Sequence, residues 1–178
     1  MRTDRAAEGV LMSVRRRLAV ALATVAVAAV SVLTLTAGPA AALPGFGTAP
    51  AAGSAGPVTI TSVTVGRHPD FDRVVFTAST GIPSWDVRYV PQVTRDGSGA
   101  PVPLLGAADL QVVVHGTDWL AHPSAQISVS PGFPALRQVT GAGEFEATLT
   151  YGIGQQTRTG FRAFTLTGPD RLVVDLSH

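Results

Sequence analysis

Few residues in this chain could do chemistry. His68, His115, His122 and His178 are its four imidazoles, and it has no cysteine. That removes any disulfide partner, thiolate metal site or thiol nucleophile. His115 and His122 stand seven residues apart, which matches no tight zinc spacing, so no metal is expected. His115 closes an apolar run and is expected to satisfy a loop carbonyl. Glu144 and Glu146 fall two apart in a run that reads as a strand, so they share a face with Cα atoms roughly 6.5–7 Å apart. Carboxylates at such separations can hydrolyse glycosides, yet paired glutamates on a strand ordinarily form its solvated face. Asp96-Gly97-Ser98-Gly99 resembles an acid-protease loop only superficially, because the glycine comes too early and no second copy exists. It reads as a hairpin turn. Gly-x-Ser-x-Gly is absent. No catalytic set and no cofactor are expected.

Charges embedded in strand-like runs are more informative. Asp72/Arg73, Asp86/Arg88 and Asp170/Arg171/Asp175 each border or interrupt apolar stretches. Ordinary cross-strand pairing on a solvated sheet face explains them, at a few tenths of a kcal/mol per pair. The sharper reading is a groove in which arginine forks recognise a carboxylate or sugar hydroxyls. Its candidate ligand-binding residues are Arg73, Arg88, Arg171 and Asp175. Trp119, in a long loop, is the better stacking residue, since Trp85 and Tyr89 alternate like core positions.

The bulk charge argues against nucleic acid as a partner. All 13 basic residues are arginine, and five of them (2, 5 and 15–17) precede residue 43. Beyond that point 8 Arg face 10 Asp plus Glu, a balance of −2, which is a poor surface for phosphates. Without asparagine there is no N-glycosylation site.

Residues 1–42 read as a secretory signal segment. Arg15-Arg16-Arg17 precede the uncharged run Leu18 to Thr36, and Ala37-Gly38-Pro39-Ala40-Ala41-Ala42 offers small residues for cleavage near Ala42. Met12 would serve equally well as a start. An uncleaved segment would act as an N-terminal membrane anchor, the only membrane link expected. Residues 43–57, rich in Pro, Gly and Ala, read as a mobile linker. Residues 58–178 suffice for one domain with a real core.

Within that domain, short alternating runs bounded by Gly and Pro predict strands. Val58 to Val65 changes phase at Ser62-Val63, which suggests a bulge. Asp72 to Thr77, Trp85 to Val90, Ala107 to His115, Ala135 to Val139, Glu144 to Tyr151, Phe161 to Thr167 and Arg171 to Ser177 follow. Pro101-Val102-Pro103 can only be an edge or extended segment. Gly116–Pro134 and Gly152–Gly160 read as loops. The expected fold is all-β, a small sandwich of two short-stranded sheets. In the last strand Leu172, Val174 and Leu176 should share one face and Val173 and Asp175 the other. Arg171 and Asp175 should lie near the rim, and mutual burial of those two would mark the strand as scaffold.

Asp72-Arg73-Val74-Val75-Phe76-Thr77 and Gly168-Pro169-Asp170-Arg171-Leu172-Val173-Val174-Asp175-Leu176 resemble the two signatures of AMIN domains. The run from about Val63 to His178 is similar to the AMIN-like domain of secreted proteins and lipoproteins in high-GC Gram-positive bacteria. Gly66 to Phe76, Asp96 to Gly99, Leu136 to Val139, Gly152 to Gly154 and Phe161 to Asp175 carry that likeness. It implies a sandwich of two small sheets and an envelope role, in peptidoglycan binding or protein localisation, with no catalytic residues. About 90 residues separate the signatures here, more than in an ordinary AMIN domain, and no lipobox cysteine follows the signal segment. The function expected is a secreted, non-enzymatic envelope-binding domain whose partner is a cell-wall glycan or envelope protein. A scaffold docking by strand addition is the alternative. Third comes a hydrolase using Glu144 and Glu146 or His115.

Overall fold

Period-two alternation of apolar and polar residues puts every second side chain on one face of a strand, and two such faces close on each other here. The computed structural model describes residues 44–79, 81–115 and 127–178. It contains β1 (Ala51–Gly53), β2 (Ile60–Arg67), β3 (Phe71–Ala78), β4 (Ser84–Val90) and β5 (Ala108–His115). β6 (Ser128–Val129), β7 (Leu136–Phe145), β8 (Thr148–Gln155), β9 (Phe161–Leu166) and β10 (Arg171–Ser177) follow. A 6-stranded sheet runs β1-β4-β5-β8-β7-β6 and a 4-stranded sheet runs β2-β3-β10-β9. All neighbouring strands are antiparallel. The all-β sandwich is as expected.

The core lies between the sheets. Val74, Phe76, Leu172, Val174 and Leu176 from the smaller sheet meet Val87, Leu110, Val112, Tyr151 and Ile153 from the larger. The Phe76 and Tyr151 ring centroids stand 4.9 Å apart. Full burial of such side chains contributes about 1.5–3 kcal/mol each. The two signature strands, far apart in sequence, are central neighbours, with Val174 opposite Val74 and Asp175 opposite Arg73. The bulge expected in β2 is present as a register shift between Ile60 and Ser62.

Five sequence readings need correction. The stretch read as a loop over Gly116–Pro134 carries, in its described part, the edge strand β6, whose Ser128 and Val129 pair with Thr140 and Val139 of β7. The 43–57 segment is not a free linker over its described part. Gly47 bridges Phe161, Ala51–Gly53 pair with β4, and the Ser84 hydroxyl is bonded to the backbone of Ala55. Its small residues look unable to fold because they bury little, but backbone pairing recruits them. At Gly53 an added Cβ would meet Trp85 Nε1 at 2.6 Å, so smallness is what admits the strand. Gly152–Gly154 are not a loop but buried positions in β8. The chain between β4 and β5 crosses their outer side, where a Cβ on Gly154 would stand 2.2 Å from the Leu105 carbonyl oxygen. Glu144 to Tyr151 is not one strand, because Glu146 and Ala147 adopt positive φ (49° and 58°) and turn β7 into β8. His115 does not serve a loop carbonyl; its Nε2 stands 2.7 Å from Asp86 Oδ2.

The Asp96–Gly99 turn is as expected, with Gly99 N–H donating to the Arg95 carbonyl at 2.9 Å. The signal segment, Trp119 and His122 lie outside the described residues.

Candidate functional site

The outer face of the smaller sheet carries the charged side chains that the signature strands do not turn inward. In β10, Leu172, Val174 and Leu176 are buried in the core, while Val173 and Asp175 point the other way. That is the alternation expected. Asp175 is nonetheless fully buried, at 0% exposure. Burying a carboxylate is costly unless charge and hydrogen bonds compensate it, and here its two neighbours in register do so. Arg73, opposite it in β3, donates from Nε to Oδ1 at 2.6 Å and from Nη2 to Oδ2 at 2.9 Å. Arg162, opposite it in β9, donates from Nε to Oδ2 at 2.8 Å. Hydrogen bonding to Asp175 raises the Arg73 pKa against the opposing effect of burial, so the charge is secure.

Phenylalanine rings wall this row. The Arg162 guanidinium lies 4.5 Å from the Phe46 ring centroid and 5.2 Å from that of Phe71. Arg73 lies 5.1 Å from Phe71 and 5.7 Å from Phe164. His68 stacks on Phe71 at 4.4 Å. Cation–π contacts contribute about 0.5–1 kcal/mol each at exposed sites and more when desolvated. The arginines still reach water, with side-chain exposures of 24% for Arg73 and 15% for Arg162, and Phe46 is 40% exposed.

The neighbouring signature aspartate faces inward. Asp72 is fully buried and its Oδ2 accepts the backbone N–H groups of Ala135 at 2.7 Å and Leu136 at 2.9 Å. This ties β3 of one sheet to the start of β7 in the other. His178 Nε2 stands 3.5 Å from Asp72 Oδ1.

Of the residues singled out from sequence, Arg73 and Asp175 are brought into direct contact. Arg171 shares their face but not their cluster. It sits four residues up the same strand, roughly 13 Å away by strand rise, and its Nε donates to the Pro169 carbonyl at 3.0 Å. It is therefore no buried partner of Asp175. Arg88 belongs to the outer face of the other sheet, where its Nη2 lies 3.4 Å from Gln111 Oε1. Trp119 is not among the described residues. The two glutamates part company: Glu146 sits in the hairpin turn. Glu144, opposite Leu149, turns toward Tyr151, whose hydroxyl is pushed far up by burial and then by the Glu144 charge.

Arg162, Phe46, Phe71, Phe164 and His68 were missed as a group. The alternation Phe161-Arg162-Ala163-Phe164 could have placed Arg162 on an outer face. Its pairing with Asp175 depends on a register that only the folded sheet defines. Phe46 was hidden by the linker reading.

No curated protein and no solved structure matches this chain. A family model described as the AMIN-like domain matches residues 58–178, spanning both signature strands and every strand from β2 to β10. The chain belongs to the AMIN-like domain family.

Proposed function

We propose that this protein is a non-enzymatic, extracytoplasmic module that binds the cell envelope, with wall glycan of the peptidoglycan type as its partner. Membership of the AMIN-like family supports the envelope context. The observation that carries the binding reading is the charge and ring content of one sheet face. The outer face of the smaller sheet holds Arg73, Arg162 and Arg171 against Asp175, a balance of +2. The rest of the chain past residue 43 balances −4, from 5 Arg against 9 Asp plus Glu. The same face gathers Phe46, Phe71 and Phe164. A basic, aromatic surface on an otherwise acidic body suits an anionic polymer with apolar ring faces.

Co-sedimentation of the full-length chain with purified peptidoglycan tests the reading. Retention well above an albumin control is expected; equal retention would discard it.

A second reading, docking by strand addition, is favoured by β9. One edge pairs along β10, whereas the other meets backbone only where Phe161 bonds Gly47, among the described residues. Among the described residues, the N–H and C=O groups of Ala163 and Thr165 that share Phe161's direction meet no backbone partner, which suits an added strand. Such docking would slow amide exchange at Ala163 and Thr165, whereas glycan bound on the face would leave it unchanged.

A further inference from the structure

We infer that Arg73 and Arg162 form a site for a carboxylate group carried by the wall polymer, an inference that rests on the envelope reading above. The pair carries charge and N–H donors that its contacts within the chain leave unmatched among the described residues. Each guanidinium has five N–H donors in a planar fork. Arg73 commits Nε and Nη2 to Asp175. Arg162 commits Nε alone, which leaves both of its terminal nitrogens without a carboxylate partner among the described residues. Asp175 lies on the strand between the two, so their Cα atoms stand roughly 10 Å apart across the sheet. Two long side chains converge over that gap on one buried carboxylate.

One carboxylate between two guanidiniums leaves the cluster at +1. A second carboxylate, arriving from solvent above Asp175, would accept from the outward edges of both forks and bring the cluster to neutrality. Arginine pairs with carboxylates in this two-pronged way more readily than with neutral hydroxyls. The walls strengthen the preference. Phe71 contacts both guanidiniums, Phe46 covers Arg162 and Phe164 lies beneath the pair. These rings lower the local dielectric and raise the value of a charge pair. The site is also pre-organised, because Asp175 and the rings hold both forks before any ligand arrives, so little side-chain entropy remains to be lost. Phe46, the most exposed ring of the group, is placed to cover the apolar neck beside the bound carboxylate.

The test compares intact peptidoglycan with peptidoglycan whose carboxylates have been converted to amides, using the full-length chain. Retention on the amidated wall should fall at least tenfold. Arg162→Lys keeps a cation beside Asp175, and so the fold, but removes the fork; it should weaken binding to the intact wall about tenfold while the protein still melts cooperatively, only a few degrees lower for the lost ring contacts. Phe46→Ala, which leaves Asp175 and both arginines in place, should weaken it about threefold. Equal retention on both walls would overturn the carboxylate inference and leave the envelope reading standing. If neither wall retains the protein, the envelope reading fails and N-acetyl-alanyl-alanine decides the inference. Shifts of the Arg162 Nε–H resonance by this acid, and not by its C-terminal amide, would uphold the carboxylate site. No shift with either would remove it.

Discussion

The two sheets differ most in how their outer faces are covered. The larger sheet is roofed by its own chain. Val93, Val102 and Leu104, from the connection between β4 and β5, pack with Ala142 into a second apolar cluster. Gly152 and Gly154 supply the clearance, and the Val102 N–H donates to the Val93 carbonyl at 2.8 Å. The smaller sheet has no such roof among the described residues. Its outer face is closed by long side chains, two arginines clasping Asp175 between phenylalanines. A roof of backbone and aliphatic side chains satisfies itself. A roof of guanidinium groups keeps donors and charge at the surface, which is why the proposed wall contact is placed on the second face.

The paired aspartates repeat the contrast. Asp72 and Asp175, diagonal neighbours on β3 and β10, are both fully buried but face opposite sides of the sheet. Asp72 holds backbone N–H groups of the opposite sheet and Asp175 holds arginines. The largest expected effect is therefore at Asp72. Asp72→Ala leaves two buried N–H donors unpaired and should cost about 3–5 kcal/mol of unfolding free energy, read by denaturant melts. Asp175→Ala should cost less, about 2–3 kcal/mol, because the released arginines, already partly exposed, can turn to water, and it should also abolish wall retention. If Asp175→Ala proves the more destabilising, the division between a structural and a surface aspartate collapses.

Gly154→Ala sharpens the same comparison from the other side. Its methyl would press on the Leu105 carbonyl, and overpacking of this kind costs about 1–3 kcal/mol. Wall retention of the folded fraction should be unchanged; a loss would move the site to the roofed face. Arg88→Ala, on that face and exposed, should shift stability by no more than about 0.5 kcal/mol and leave retention intact.

The smallest effect concerns pH. Burial raises the Asp96 carboxyl above its ordinary value of 3.8, with hydrogen bonds from Thr150 opposing the shift. The folded state thus binds this proton more tightly than the unfolded chain does. Stability from this group is full below about pH 3.8 and is lost as pH rises through the folded value. Asp96→Asn should melt with the wild type in acid and slightly above it at pH 7. A lower melting temperature at neutral pH would show that the Thr150 bond outweighs desolvation.

Much of this was legible in the residues. Alternation in β4 and β10 placed Trp85, Val87, Leu172, Val174 and Leu176 correctly, because a strand's period of two is local. The phase change in β2 announced its bulge for the same reason. Glycine was where reading failed. Gly53, Gly152 and Gly154 look like breakers, yet each sits in a strand because another part of the chain passes too close for a Cβ. The Glu146-Ala147 turn went unread because neither residue favours positive φ.

By itself, the sequence determined the class of fold, the inward and outward sets of β4 and β10, and, through their resemblance to a known family, the two Asp/Arg-tipped strands. The first two follow from local periodicity, which needs no distant partner. Tertiary structure alone decided that the two strands are neighbours, that Arg162 rather than Arg171 completes the grip on Asp175, and that Phe46 joins the site. These are matters of register and strand order, set by contacts between residues as much as 102 positions apart, and no local pattern encodes them.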